Sequence, residues 1–256
     1  MTAALPALVA LLALLPGAPK KAPPPAKPPP PPAFIAVVDP GHGGEQEGAF
    51  SAAGDREKDL ALEISRRVAV RLRKLGARVI LTRTGDIDVP LVNRATIANA
   101  LRADIFLSIH LNSMPSTEQR RQRRGIETSF LSADATDASA AAVAARENAA
   151  RMAGEALAEP GDSVGFILQD LESAAALTES SRLAYFLQEK LVAGTGAEDN
   201  GVKQAPFYVL AGARMPAVLF ETSYVSNPRE SAWLATPAYR QSLAAALVRA
   251  VGEFAR

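Results

Sequence analysis

Apolar and polar residues alternate along the chain in short blocks that predict strands and in longer blocks that predict helices. Six short runs rich in β-branched and apolar residues predict strands, at 34–38, 77–82, 104–110, 126–131, 206–210 and 217–221. Longer stretches with apolar residues three or four positions apart predict helices at about 56–75, 91–101 and 237–254. This alternation predicts a single α/β domain with a mostly parallel six-stranded sheet flanked by helices.

The first predicted helix has the clearest pattern. One stripe at spacings of four and three contains Leu60, Ile64, Val68, Leu72 and Leu75. Gly76 follows directly, and a glycine at this position is a common helix end. By contrast, residues 133–201 are alanine-rich and have no strand pattern, so they predict a helical insertion or simple low-complexity filler packed on the sheet.

Two segments precede the predicted domain. Residues 3–15 form an almost unbroken apolar run, which is short for a membrane span and typical of a secretory signal, so we expect no stable membrane span in the mature chain. An uncleaved anchor or a misplaced start codon is the alternative. Proline-rich residues 19–33 favour an extended tether. The predicted organisation is therefore a signal or apolar segment at 1–18, a linker at 19–33 and a catalytic domain at 34–256.

Charge and residue usage narrow the chemistry. Three of the 28 basic residues lie in the proline-rich segment, so the remainder, with all 27 acidic residues, has no excess of positive charge. A nucleic-acid binder needs a basic face, and we therefore expect no nucleic-acid partner. The 256-residue chain has no cysteine, which excludes disulfides and thiolate metal sites, and only two histidines.

Both histidines stand at predicted strand ends. His42 follows the first strand and His110 closes the third, while Glu221 closes the last. Glu57 begins the helix after the first strand, at the same edge. Ligands bind outside the carboxyl ends of parallel strands, and two imidazoles with one carboxylate form a catalytic zinc set that leaves a position for water.

Each of these residues also has a structural explanation. A carbonyl would satisfy His110 in the core, and Glu57 would complement a helix dipole. The three glycines around His42 suit a backbone brought close to a ligand. A phosphate loop would explain them too, but neither Gly-Lys-Ser/Thr nor G-x-G-x-x-G occurs there. Glu221 is harder to explain structurally, because an ionised carboxylate after an apolar strand is costly without a partner.

An ordered set of short motifs resembles the zinc-dependent N-acetylmuramoyl-L-alanine amidases that separate daughter cells. The resemblance covers roughly residues 34–254. The motifs are Asp39-Pro40-Gly41-His42-Gly43-Gly44, Arg56-Glu57-Lys58-Asp59-Leu60, Thr82-Arg83, Asn93-Arg94, Ser108-Ile109-His110-Leu111-Asn112-Ser113, Gly125-Ile126-Glu127, Gln204-Ala205-Pro206-Phe207 and Glu221-Thr222-Ser223-Tyr224-Val225-Ser226-Asn227-Pro228.

The resemblance implies that Zn²⁺ is bound by His42, Glu57 and His110, with Glu221 as the catalytic carboxylate. The implied substrate is peptidoglycan, cut at the amide bond between N-acetylmuramic acid and L-alanine. Ser223-Tyr224 replaces a usual Gly-Phe, which affects no implied ligand. Three neighbours are candidates either to orient the imidazoles or to make ordinary loop hydrogen bonds, namely Asp39, Ser108 and Asn112.

The insertion resembles the segment by which cell-division amidases inhibit themselves. In that subgroup a glutamate from an insertion helix caps the zinc, and Glu147 in Ala145-Arg146-Glu147-Asn148 is the candidate here. A glutamate on such a helix is also commonly just solvated. The resemblance implies a LytM-type activator protein that pulls the helix away, a shift toward an open state.

Three other functions remain open. The metal set also suits another zinc-dependent wall hydrolase, such as a carboxypeptidase or deacetylase. A catalytically idle peptidoglycan-binding module is the alternative from another class, although retention of all four residues argues against it. A serine hydrolase is less favoured, because it would need a histidine as base and both histidines are already assigned to the metal set. The apolar start predicts export to the periplasm, the cell wall or the outside.

Overall fold

The computed structural model describes residues 33–149 and 171–255, apart from the side chains of 171–173. Almost all of the predicted apolar and proline-rich segments lies outside these residues, as does the middle of the predicted insertion. Six strands form one sheet: β1 Ile35–Pro40, β2 Arg78–Leu81, β3 Ile105–Asn112, β4 Ile126–Leu131, β5 Asp199–Ala205 and β6 Ala217–Tyr224.

Seven α-helices are present in the described part of the chain. Their bounds are α1 Glu57–Lys74, α2 Leu91–Ala100, α3 Thr117–Gln122, α4 Ala138–Asn148, α5 Leu171–Thr195, α6 Pro228–Leu234 and α7 Pro237–Phe254. A short 3₁₀ helix spans Tyr208–Leu210. None of the helices in these ranges is both long and apolar enough to cross a membrane.

The strand order is β2-β1-β3-β6-β4-β5, and every neighbouring pair is parallel except β4 and β6. The predicted α/β fold with a mostly parallel six-stranded sheet is therefore confirmed. Because β1, β3 and β6 run the same way, their carboxyl ends meet at one edge. His42 follows β1, and His110 and Glu221 lie near the carboxyl ends of β3 and β6.

Both faces of the sheet are covered. Ala36 and Val38 of β1 belong to the apolar cluster formed with α1, α5 and α7, whereas Val37 belongs to the cluster formed with α2 and α4. Alternate strand residues point to opposite faces, so α4 lies in the second helical layer. The predicted stripe of α1 is buried up to Leu72, while Leu75, beyond the helix end, is 47% exposed.

The strand predicted at 206–210 is wrong. That apolar run is a turn with a 3₁₀ helix, in which Leu210 N donates to the Phe207 carbonyl, and its apolar side chains are buried without joining the sheet. The strand is instead β5, just before it. An edge strand pairs on one side only, and β5 is mostly polar and half-buried. It therefore lacks the apolar pattern that reveals the central strands.

Helix α5 is part of the core. Leu183, Leu187 and Leu191 are buried against the sheet and α7. Gln188 accepts a hydrogen bond from the Thr128 hydroxyl at 2.7 Å and donates to the Ile126 carbonyl at 2.9 Å. The predicted insertion therefore includes a helix on which the stability of the sheet depends.

Two buried carboxyls near β4 differ in their partners. Burial raises the pKa of Glu127 and of Glu230 from 4.5 to about 7. Glu230 accepts hydrogen bonds from the backbone N–H of Gly125 at 2.9 Å and of Tyr224 at 2.5 Å. Glu127 Oε1 has no hydrogen-bond partner among the described residues. The ionised form of Glu127 is thus the less compensated of the two.

We predict that Glu127→Gln stabilises the protein at pH 8 and has little effect at pH 4. The folded state holds the Glu127 proton up to about pH 7 but the unfolded state only to about 4.5, so the free energy of unfolding falls as pH rises through this window. Removing the charge should raise the free energy of unfolding at pH 8 by up to about 3 kcal/mol. Urea unfolding at both pH values measures this change.

Glu230→Gln is the matched control. Its amide nitrogen cannot accept the second backbone N–H that the carboxylate accepts, so it should gain less than Glu127→Gln or lose stability. A Glu127→Gln protein that is less stable than the parent at pH 8 would contradict the argument.

Candidate metal centre and active site

The predicted residues meet at the edge formed by the ends of β1, β3 and β6. His42 lies two residues after β1, and His110 of β3 is paired in register with Glu221 of β6. Glu57 is the first residue of α1. Burial is almost complete, since all four residues are at most 6% exposed. Strand ends alone therefore predicted three of them, and the adjacent helix start predicted the fourth.

Four side-chain atoms converge on one point. His42 Nε2 lies 3.1 Å from Glu57 Oε1 and 3.2 Å from Glu147 Oε2. His110 Nδ1 lies 3.2 Å from the same Glu57 oxygen and 2.9 Å from the same Glu147 oxygen. A tetrahedral zinc site with bonds of about 2.0 Å has ligand atoms about 3.3 Å apart. These residues could hold a metal ion, and Glu147 occupies the fourth corner.

The hydrogen-bonding state of these atoms supports the same interpretation. His42 Nε2, His110 Nδ1 and Glu147 Oε2 are buried and have no hydrogen-bond partner among the described residues, although they lie so close together. Buried polar atoms are normally hydrogen-bonded. A shared cation would satisfy all three at once.

The charges in the cluster are strongly coupled. Burial opposes a charge on His42, but the carboxylates of Glu57 and Glu147 outweigh it and raise its pKa to about 9. Burial likewise opposes the charge of Glu57, but the imidazoles outweigh it and lower its pKa to about 2. His110 and His42 similarly keep the pKa of Glu147 well below its usual range. The two carboxylates stay ionised and face the two imidazoles.

Glu57 is fixed by backbone donors in addition to the cluster. Its Oε2 accepts from Ala49 N–H at 2.9 Å, and its Oε1 accepts from Leu111 N–H at 3.0 Å. It also stands in the first turn of α1, where a carboxylate complements the helix dipole. The metal-ligand and helix-dipole explanations are compatible, because one side chain meets both requirements.

Glu221 lies beside the cluster and is fully buried. Burial raises its pKa well above 4.5, the Glu147 charge adds to this, and the Arg146 charge opposes it. Arg146 Nη2 approaches Glu221 Oε1 at 3.3 Å, and Glu221 Oε2 has no hydrogen-bond partner in the described ranges. A buried carboxyl whose pKa is raised in this way is suited to accept and release a proton.

Two buried arginines bind backbone carbonyls of the loop that holds His42. Arg83 donates to the carbonyls of Pro40 at 3.0 Å and Gly41 at 2.7 Å. Arg94 donates to the carbonyls of Pro40 at 2.9 Å and His42 at 3.0 Å. His42 itself has a φ of +57°, a conformation uncommon for residues other than glycine. Functional sites often hold such strained backbone in place.

Sequence reasoning missed the role of these arginines. Both belong to motifs of the family resemblance, but a pattern of residues does not reveal that a guanidinium binds carbonyls 42 to 54 positions away in the chain. Arg146 was missed too, although it is adjacent to the predicted Glu147.

The candidates for orienting the imidazoles have other partners. Asp39 accepts hydrogen bonds from the Thr82 hydroxyl, from Ser108 at 2.7 Å and from Arg94 at 2.9 Å. Asn112 accepts from Arg146 at 3.2 Å. Asp39 and Ser108 therefore join β1, β3 and the residue that follows β2, and these hydrogen bonds do not go to an imidazole.

Comparison with known proteins agrees with this site. The sequence pattern of a family described as N-acetylmuramoyl-L-alanine amidase matches residues 36–253. AmiA of Escherichia coli (strain K12), an N-acetylmuramoyl-L-alanine amidase, is 34% identical over 219 residues, which cover 85% of this chain and 74% of AmiA. AmiC of Neisseria meningitidis serogroup B is 32% identical over 221 residues, 86% of this chain and 52% of AmiC.

Solved structures give the same result. N-acetylmuramoyl-L-alanine amidase AmiC2 of Nostoc punctiforme is 26% identical with a TM-score of 0.65, covering 87% of this chain and 97% of that chain. An amidase of the same name from Clostridium difficile 630 is 27% identical with a TM-score of 0.64, covering 86% and 95%. The chain belongs to the N-acetylmuramoyl-L-alanine amidase family.

Proposed function

We propose that this chain is a zinc-dependent hydrolase that cleaves the amide bond between N-acetylmuramic acid and L-alanine in peptidoglycan. It acts after export, in the periplasm or cell wall, in wall remodelling and daughter-cell separation. The observation that carries this proposal is the convergence of two imidazole nitrogens and a carboxylate oxygen on one point beside the buried Glu221. Family membership supports the choice of bond.

In this proposal His42, Glu57 and His110 hold the zinc ion. Two nitrogen donors and one carboxylate are a ligand set of catalytic zinc sites, which keep a fourth position open. The fourth position is the corner taken by Glu147 Oε2. A catalytic site needs that corner for water or substrate, so the arrangement described here is a closed one.

Bound zinc would polarise the attacking water and the amide carbonyl. Glu221 takes the proton from the water and returns it to the departing nitrogen of L-alanine. Its burial, which raises the pKa of the carboxyl above the usual range, makes the ionised form a stronger base toward the water and the carboxyl able to hold the proton until it is passed to the nitrogen. The buried walls exclude bulk water from the carboxyl.

The ligand set alone suits other zinc-dependent wall hydrolases, such as a carboxypeptidase or a deacetylase. These differ in product, since an amidase frees the amino group of L-alanine while a carboxypeptidase frees a terminal amino acid and a deacetylase frees acetate. Mass spectrometry of digested sacculi therefore separates them. An idle binding module would release none of these products.

We further propose that Glu147 inhibits the enzyme by taking the fourth corner. It lies near the end of α4 and is 3% exposed. Asn148 fixes the same helix end by donating to the Pro206 carbonyl and accepting from Tyr208 N–H. A partner must then move α4 away, and a LytM-type activator is the expected one.

Gly41 offers a test of the metal site that leaves every ligand unchanged. A Cβ at Gly41 would lie 2.6–2.7 Å from the His110 ring, so Gly41→Ala must displace that imidazole. We predict that zinc affinity falls by roughly tenfold or more, as for other changes that disturb ligand orientation. Competition with a chelator of known affinity measures this. Gly85→Ala is the control, because a Cβ there meets nothing within 4 Å. Equal affinities for the two variants would contradict the proposed site.

Glu221→Gln separates catalysis from metal binding. We predict that it retains one zinc per chain and loses hydrolysis by about 10²–10⁴-fold, the usual contribution of a general base. Zinc content and release of L-alanine amino groups from sacculi are measured together, in a Glu147→Ala background so that the parent is active. Glu189→Gln, exposed on α5, is the control. Substantial remaining activity at full zinc content would exclude the catalytic role.

Glu147→Ala tests the inhibition. We predict that basal hydrolysis of sacculi rises at least about tenfold without any activator, because the charge-assisted contacts that Glu147 makes in the closed state are lost. A point variant is preferable to removing the insertion, since α5 contributes buried leucines to the core. Unchanged basal activity in a folded, zinc-loaded Glu147→Ala protein would contradict the inhibitory role.

A further inference from the structure

We propose that Arg146 is a second inhibitory residue, which withholds Glu221 while Glu147 blocks the metal position. This inference rests on the proposed function and extends its regulation. Adjacent residues of one helix would then disable the two halves of the active site by separate contacts. The inhibition would require both the loss of the fourth metal corner and the capture of the catalytic carboxylate.

The guanidinium of Arg146 contacts four acceptors. Nη2 approaches Glu221 Oε1 at 3.3 Å, and Nε donates to Glu147 Oε1 at 2.9 Å. Nη1 donates to the Ser113 carbonyl at 2.9 Å and to Asn112 Oδ1 at 3.2 Å. The fork geometry of arginine allows such bridging, which a lysine ammonium cannot reproduce. Arg146 therefore connects α4 to both β3 and β6.

Charge balance gives Arg146 a role separate from that of Glu147. Three carboxylates are buried here, on Glu57, Glu147 and Glu221. The two positive charges of a bound zinc ion would balance the two carboxylates that face the imidazoles, those of Glu57 and Glu147. Glu221 remains, and Arg146 is the one arginine or lysine that pairs with it among the described residues. A buried carboxylate without such a partner would be costly.

The apolar contact of α4 with the rest of the fold is small. Its buried apolar residues are Ala140, Val143 and Ala144. Alanine and valine bury little surface, so they contribute little to holding the helix down. The polar contacts of residues 146–148 therefore decide whether the end of α4 stays closed. The other end is fixed to β5, where Lys203 pairs with Asp137 at 2.6 Å.

Thiol labelling measures opening without any need for catalysis. Because the chain has no cysteine, Ala144→Cys in the full-length, zinc-loaded protein introduces a single thiol on the buried side of α4. Its reaction with a water-soluble maleimide reports how often the helix opens. Ala141→Cys, on the exposed side, gives the rate of an uncovered thiol.

A double-mutant cycle between Arg146→Ala and Glu221→Gln then tests the contact itself. We expect Arg146→Ala to speed labelling about tenfold, as a lost charge-assisted hydrogen bond implies. Glu221→Gln should also speed labelling when Arg146 is present, and have little further effect when it is absent. Arg146→Lys should recover part of the protection. If the double variant's labelling rate rises by the product of the two single increases, the two residues act independently, and the proposal is overturned.

Hydrolysis of purified sacculi provides the second measurement. Arg146→Ala should raise basal activity while Glu147 is intact, whereas Arg182→Ala, an exposed arginine paired within α5, should not. Activity of Arg146→Ala equal to that of the parent would overturn the proposal, provided that Glu147→Ala is active. If no variant releases product while the labelling cycle still shows coupling, the amidase proposal fails and the contact stands. Thermal unfolding confirms that each variant is folded.

Discussion

The structure depends on keeping several charges paired in a place closed to water. Glu57, Glu147 and Glu221 lie at one sheet edge with His42 and His110, and all are nearly inaccessible. An isolated carboxylate in such a place would take up a proton or force the site open. The parallel strands bring the two imidazoles to this edge, and α4 supplies Glu147 and Arg146, which pair with the imidazoles and with Glu221.

Much of the fold could be predicted because the central strands are apolar on both faces. The elements β1, β3 and β6 each lie between two strands and under two helical layers, so burial requires an almost continuous apolar run. Strand β5 could not be found in this way. It pairs only with β4 and carries polar, half-buried side chains, while the more apolar run after it is buried as a turn. An apolar pattern in the sequence indicates that a segment is buried. It indicates a strand only where the buried segment is also part of the sheet.

Some residues of the site could likewise be predicted from the sequence and others could not. His42, His110 and Glu221 stand at strand ends, and the direction of parallel strands is enough to bring them together. The roles of Arg83 and Arg94 were not predictable, because they bind backbone carbonyls, which every residue has. Side chains that bind a metal or transfer protons are therefore easier to predict from a sequence than side chains that hold the backbone around them.

The pairing of Arg146 with Glu147 has a consequence for how the site can open. Their charges are opposite, so in the proposed opening α4 would leave as a unit that carries no net charge from this pair. A zinc ion held by His42, Glu57 and His110 would then balance the charges of Glu57 and Glu221. Opening would thus require neither an unpaired buried carboxylate nor a change in net charge. The remaining cost would be the loss of a few short contacts and the exposure of small apolar side chains, which a partner that binds the open state more tightly than the closed one would supply.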